Sequence, residues 1–232
     1  MLATRRAFTL IELLVVLTII SILTALTLKA IGTATTTRNQ GESVARLRQW
    51  GAALGSYMAE HNGDLPRRGQ GVQPVTQLNR PEDWFNALPP YLGVPSYYEL
   101  VSSGHRPHSG ERSIFVRPGA KDPGAAAFLS YGMNMNLSPW NLTSPTRAVL
   151  IERPSATVFL AESPGPYAST YPSTKAYSCQ APYDGKGDVL FLDGHVSSYD
   201  ADYLGVGKGD PQHDDVRWLT GTSSDDSAAM YK

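Results

Sequence analysis

The chain opens with an apolar run of 24 residues, Phe8–Ile31, in which only Glu12 and Lys29 carry charge. As a helix this run spans roughly 36 Å at about 1.5 Å per residue, enough to cross a hydrocarbon core of about 30 Å. Arg5 and Arg6 lead into it, so the positive-inside rule keeps the N-terminus in the cytoplasm and sends the remainder outward. Lys29 lies near the far end, where its long stem can snorkel to the interface. Thr18, Ser21, Thr24 and Thr27 recur at every third position. Their hydroxyls can bond back to carbonyls of their own helix or across to a neighbouring one. Glu12 is the anomaly. An acid at mid-helix in lipid costs roughly 2.5–3.5 kcal/mol on insertion scales. An ordinary signal peptide, with an apolar core of about 7–15 residues, has no use for it, although the small polar stretch GTATTT after Ile31 is compatible with cleavage there.

The remaining composition bounds the rest. The chain has 232 residues, which suits one ordinary globular domain with an accessory segment. Residues 1–31 hold Arg5, Arg6 and Lys29 against Glu12, which leaves 17 basic and 20 acidic residues in 32–232. A mildly acidic domain argues against bulk nucleic-acid binding. The single cysteine, Cys179, excludes an intrachain disulfide and reads as a free thiol, buried or semi-buried. Abundant Gly and Pro point to a turn-rich, β-leaning domain.

Residues 45–66, ARLRQWGAALGSYMAEHNGDLP, predict an amphipathic helix. Leu47, Trp50, Leu54, Tyr57 and Met58 form one apolar stripe suited to lie on a sheet. Asn62-Gly63 supplies a left-handed stop, and Pro66 follows. Between the two helical halves, GTATTTRNQGES has low helix propensity and predicts a weak or bent link. Farther on, SIFVRPGAKDPG predicts a strand ending at Pro118. TRAVLIERPSATVFLAESP holds two apolar runs around Pro154. In GDVLFLDGHVSSYD, Val189–Leu192 and His195–Tyr199 flank Asp193-Gly194, which predicts a hairpin with a two-residue type I′ turn.

RRAFTLIELLVVLTIISILTAL resembles the class III signal of type IV prepilins and type II secretion pseudopilins. The resemblance implies cleavage between Ala7 and Phe8 by prepilin peptidase on the cytoplasmic side, methylation of the new Phe8 amine, and retention of the helix. Ala7 stands where that family usually has glycine. It also implies a role for Glu12. The acid would pair with the Phe8 amine of a neighbouring subunit and reward one axial stagger, so that a buried ion pair specifies register. The segments LRQWGAALGSYMAEHNGDLP, LSYGMNMNLS, RPSATVFLAES and VLFLDGHVSSY are similar to large bacterial pseudopilin-like proteins with a C-terminal H-x9-DG domain. Two departures stand out. Tyr183 occupies the histidine position counted back from Asp193, and Arg117-Pro118 stands where Cys-Pro is common.

Chemistry-bearing motifs are absent: there is no phosphate-binding glycine loop, no nucleophile elbow, no zinc-protease helix and no dinucleotide fingerprint. Asp184, Asp188, Asp193, His195, His213, Asp214 and Asp215 invite a calcium hypothesis, since closely spaced aspartates supply oxygens. A solvated loop is the plainer reading, and His195 reads as a packed or hydrogen-bonded histidine. The basic stretch Ser103–Arg112 reads as a solvated loop. Trp84, Tyr91, Tyr97 and Tyr98 read as core or rim aromatics.

These readings give an α+β chain in which a long N-terminal helix, membrane-spanning in its first half, packs on a small antiparallel sheet with extended loops, as in pilins. Residues 1–7 form a leader, 8–31 a transmembrane helix, 32–62 its amphipathic continuation, and 63–232 an extracytoplasmic β-rich domain. The expected function is that of a structural subunit, a pseudopilin or minor pilin, without catalysis, cofactor or metal. It would be anchored in the bacterial inner membrane. The expected partners are prepilin peptidase, other subunits, an inner-membrane assembly platform and lipid, with no nucleic acid. The alternative is a membrane-anchored extracytoplasmic binding protein that does not polymerise.

Overall fold

The computed structural model describes residues 9–71, 73–138 and 145–218. The chain divides after Arg38 into two compact units. In the first, residues 9–38 belong almost entirely to helix α1, Leu10–Glu60. Its apolar side chains are exposed, from Leu10 at 81% to Val16 at 44%. One stretch of this helix reaches a mean hydropathy of 2.5 over 18 residues, with none of it buried. Thr18, Ser21, Thr24 and Thr27 all turn their hydroxyls back to carbonyls four residues earlier, at 2.7–2.8 Å.

The expected weak link is helical throughout. Thr33, Thr35, Thr36 and Thr37 each bond the carbonyl four residues back. Low propensity costs only about 0.5–1 kcal/mol per residue, and extending a formed helix is cheaper than nucleating a second one. The expected stop does occur: Asn62 and Gly63 have φ of 54° and 82°, and the Gly63 amide donates to the Met58 carbonyl at 2.8 Å.

The second unit is built on a five-stranded sheet of order β3-β1-β2-β4-β5. The strands are β1 Leu129–Asn134, β2 Val158–Gly165, β3 Ser169–Thr170, β4 Lys186–Phe191 and β5 Val196–Asp200. All pairings are antiparallel except β1 with β3, which is parallel. The sheet is therefore mixed, through a two-residue strand too short to be read from sequence. Short helices α2 Trp84–Ala87 and α3 Tyr97–Ser102 precede it, and α4 Ala201–Leu204 follows β5.

The sheet's two faces carry separate cores. Leu47, Trp50, Leu54 and Tyr57 of α1 pack with Trp84, Phe85, Tyr97, Phe115, Leu160 and Leu190. Met58 of the expected stripe sits partly buried at the margin. Val158, Ala161, Cys179, Val189, Phe191 and Trp218 form the second cluster. The period of two along β4 explains this division there, and on β2 the register shift between Val158 and Leu160 puts these two residues into different clusters. Gly51 marks the closest approach of α1 to the β4–β5 connection, where a Cβ would lie 3.0 Å from Leu190 Cδ1 and 3.1 Å from the Gly194 carbonyl oxygen.

Two local expectations are corrected. Residues 113–118 form no strand; Ser113 and Val116 make an isolated bridge. The type I′ turn is not at Asp193-Gly194. The Gly194 amide donates to the Phe191 carbonyl and the Phe191 amide to that of His195, so the connection has three residues, Leu192–Gly194. Only Gly194 has positive φ, 91°, the pattern of a type I turn closed by a glycine bulge. The chain's other Asp-Gly, Asp184-Gly185, has φ of 50° and 81°. It joins Tyr183 and Lys186 by reciprocal amide bonds of 3.0 and 2.9 Å, as a type I′ turn requires.

Candidate functional site

At the N-terminus, Ala7 and Phe8 lie outside the described residues. Glu12 has a local partner that the sequence reading missed. Its Oε2 accepts from the Thr9 amide at 2.9 Å and the Thr9 hydroxyl at 2.8 Å, while the Glu12 amide donates to Thr9 Oγ1 at 3.2 Å. This is a capping box, which satisfies donors at the helix start. Its signature, Thr followed three residues later by Glu ahead of an apolar run, was visible in the sequence.

The second unit holds a buried polar seam between α1 and the sheet. Glu162 on β2 shares its strand face with Leu160, and Asp188 on β4 with Leu190, so both acids turn toward α1. Each is 0% exposed. Glu162 Oε1 accepts from the Ser43 hydroxyl at 2.9 Å, and Oε2 accepts from the Asp188 amide at 3.1 Å. Ser43 Oγ also lies 3.1 Å from the Tyr131 hydroxyl. Asp188 Oδ1 accepts from Gln40 Nε2 at 3.1 Å and from the Ser198 hydroxyl. Burial, and then the neighbouring Asp188 charge, push the Glu162 carboxyl up to about 8. Burial also raises Asp188. Burial pushes the Tyr131 and Tyr183 hydroxyls up as well.

Tyr183 and Arg117, the two departures from the resembled pattern, face each other. The Arg117 guanidinium carbon lies 5.9 Å from the centre of the Tyr183 ring, within cation–π range.

The residues considered for calcium are not gathered into one site. Asp184 is exposed in its turn, whereas Asp188 is buried under α1. Asp193 Oδ1 lies 2.6 Å from His195 Nδ1, and the His195 ring stacks on Phe191 at 4.2 Å. His213 stacks on Tyr203 at 3.8 Å, Tyr203 donates to Asp215 at 2.6 Å, and Asp214 accepts from Arg153 at 3.4 Å. Among the described residues, no three His, Cys, Asp or Glu side chains stand together as a metal site. In the basic stretch, Arg106 makes a two-pronged pair with Asp122 at 2.5 and 2.7 Å, while His105 and His108 are exposed. Trp84 and Tyr97 are core residues at 0% exposure, and Tyr98 is 45% exposed.

A long apolar helix with a capped start, exposed over its whole apolar length, defines a membrane-anchored, single-pass chain. Residues 2–28 match the family model of the prokaryotic N-terminal methylation motif. The anchor is thus a prepilin-type segment, of the kind carried by type IV pilin-like proteins and pseudopilins and processed by prepilin peptidase for assembly with other pilin subunits. Comparison with curated proteins and with solved structures finds no match for the chain.

Proposed function

We propose that this chain is a structural subunit, a pseudopilin or minor pilin, of a type II secretion pseudopilus or type IV pilus-like filament, and that it acts by assembly without catalysis. The observation that carries this reading is the methylation motif at residues 2–28 running into a helix whose apolar side chains stand exposed from Leu10 to Ile31. Such a surface needs lipid before assembly and neighbouring helices after it. Arg5 and Arg6 place the N-terminus in the cytoplasm and the β-rich unit outside the inner membrane. An inner-membrane platform then lifts processed subunits from lipid into the filament. Glu12 pairs with the Phe8 amine of a neighbour and selects the axial stagger.

Glu12→Gln tests this reading. Glutamine also serves in a capping box, so the helix start is kept while the charge is removed. The variant is expected to be cut between Ala7 and Phe8 and to stay in the membrane fraction, yet to enter sheared, sedimentable filaments poorly. Intact mass reads the cut. Cleavage after Ala25, Ala30 or Ala34 would sink the prepilin-type reading. Incorporation of Glu12→Gln at the wild-type level would sink the pairing and favour a non-polymerising anchored domain.

A further inference from the structure

Beside the β1–β2 pairing lies a cavity of about 270 Å³, lined among others by Arg117, Lys121, Ser130, Ser163 and Gln180. Its position follows from an irregularity in the sheet. Leu129 pairs with Gly165 and Tyr131 with Glu162, so β2 carries one more residue than β1 over this interval. The bulge sets Ser130 opposite Ser163 and Pro164, and the Ser130 amide leaves the ladder for the Phe115 carbonyl at 2.9 Å. Bulges re-aim side chains in this way beside functional sites.

Two polar groups of the lining are left over. Ser130 is 1% exposed, and its hydroxyl has no hydrogen-bond partner among the described residues; the same holds for the buried Nε of Arg117. Buried polar groups in folded proteins nearly always find partners, so an acceptor from outside the described residues is called for. The charged lining residues are both cations, Arg117 and the exposed Lys121, and no carboxylate is among the lining residues. The Glu162 carboxyl, pushed up to about 8 chiefly by burial, supplies little negative charge to Arg117 at neutral pH. Guanidinium, ammonium, hydroxyl and amide donors around one small space match an oxoanion, which only accepts.

We infer that this cavity binds a small dissolved oxoanion, a phosphate or a carboxylate, through Arg117, Lys121 and Ser130. The site goes beyond the assembly role and does not rest on it, since every lining residue belongs to the second compact unit.

Equilibrium dialysis of the full chain in neutral detergent at pH 7, with labelled inorganic phosphate or labelled acetate at constant ionic strength, tests this site. Saturable, one-to-one retention of either anion is expected. Phosphate alone identifies a phosphoryl ligand and acetate alone a carboxylate. Ser130→Ala and Lys121→Gln should each weaken retention by roughly tenfold, the loss of one charge-assisted or buried hydrogen bond. Lys121 is exposed, so its variant keeps the fold whatever the fate of an Arg117 variant. No saturable retention of either anion, or retention unchanged in both variants, overturns the inference and leaves water as the partner of Ser130.

Discussion

Replacing Glu162 with glutamine separates the carboxyl's charge from its hydrogen bonds. The glutamine carbonyl can still accept the Asp188 amide, and its NH2 can donate to Ser43 Oγ. Ser43 then donates to the Tyr131 hydroxyl, a bond for which either atom can be the donor. Only the titration is lost. In the wild-type protein, the folded carboxyl titrates near 8 and the unfolded one near 4.5. A group raised on folding contributes stability that is whole below the unfolded value and lost as pH climbs through the folded one. At about 1.4 kcal/mol per pH unit, the loss approaches a ceiling of about 5 kcal/mol. Asp83, raised by burial to about 7, adds a loss of the same sign, as does Asp188, but both are present in the variant and largely cancel in the comparison. Urea unfolding of residues 32–232 at stepped pH measures the difference. At about pH 5, Glu162→Gln should lie within about 1 kcal/mol of wild type, the net worth of one hydrogen bond. At about pH 9 it should be the more stable by roughly 3 kcal/mol or more. Parallel stability curves for the two proteins between those limits would refute the argument that Glu162 is held protonated in the fold.

Two glycines four residues apart on α1 should respond oppositely. Gly51→Leu drives a side chain into Leu190 and the Gly194 backbone and should cost about 1–3 kcal/mol or more in chemical denaturation, whereas Gly55→Ala enters open space and should gain roughly 0.5–1 kcal/mol. Cys179 is buried, with its thiol pushed up to about 12 by that burial, so iodoacetamide at pH 8 should alkylate it at least about a thousandfold more slowly in the native protein than in urea; equal rates would put the thiol at the surface. Deleting residues 1–31 should leave a folded, monomeric protein, because α1 from Asn39 onward and the sheet bury each other in one compact unit; a random-coil circular dichroism spectrum would contradict this.

The sequence disclosed what is local and periodic. The apolar run, the stripe through Leu47, Trp50, Leu54 and Tyr57, the stop at Asn62-Gly63 and the β4–β5 hairpin each rest on a pattern within a few residues. It hid what depends on context. Threonines and glycines in 32–43 looked like a break because their propensities were weighed alone, without the cooperative pull of strong helix on both sides. The type I′ turn was assigned to the wrong Asp-Gly because both copies look alike, and only the count of residues between paired strand ends separates them. Ile114, Phe115 and Val116 looked like a strand because they are apolar; they are spent on core contacts instead of a ladder. The buried acids were missed for a different reason. Glu162 sits inside VFLAES just as Glu12 sits inside its apolar run, and the same question, why an acid there, was open to both. Its partners Ser43 and Asp188 are 119 and 26 positions away, so no local pattern could supply the answer.

The seam also has a mechanical meaning. Within the second unit, α1 from Asn39 onward holds the sheet and its loops through a row of polar side chains: Gln40 to Asp188, Ser43 to Glu162, Arg46 to the Val116 carbonyl, and Trp50 to the Ile114 carbonyl at 3.2 Å. Tension applied along α1 at Asn39 meets these bonds in that order, with the apolar grip of Leu47, Trp50 and Leu54 engaged behind them. Hydrogen bonds yield over fractions of an ångström, while apolar side chains slide and re-seat, so the row behaves as a stiff catch in series with a compliant one. One of these links closes on the Glu162 carboxyl, pushed up to about 8 by burial, which makes the tensile strength of the seam, and not only its thermal stability, a property that alkali would soften.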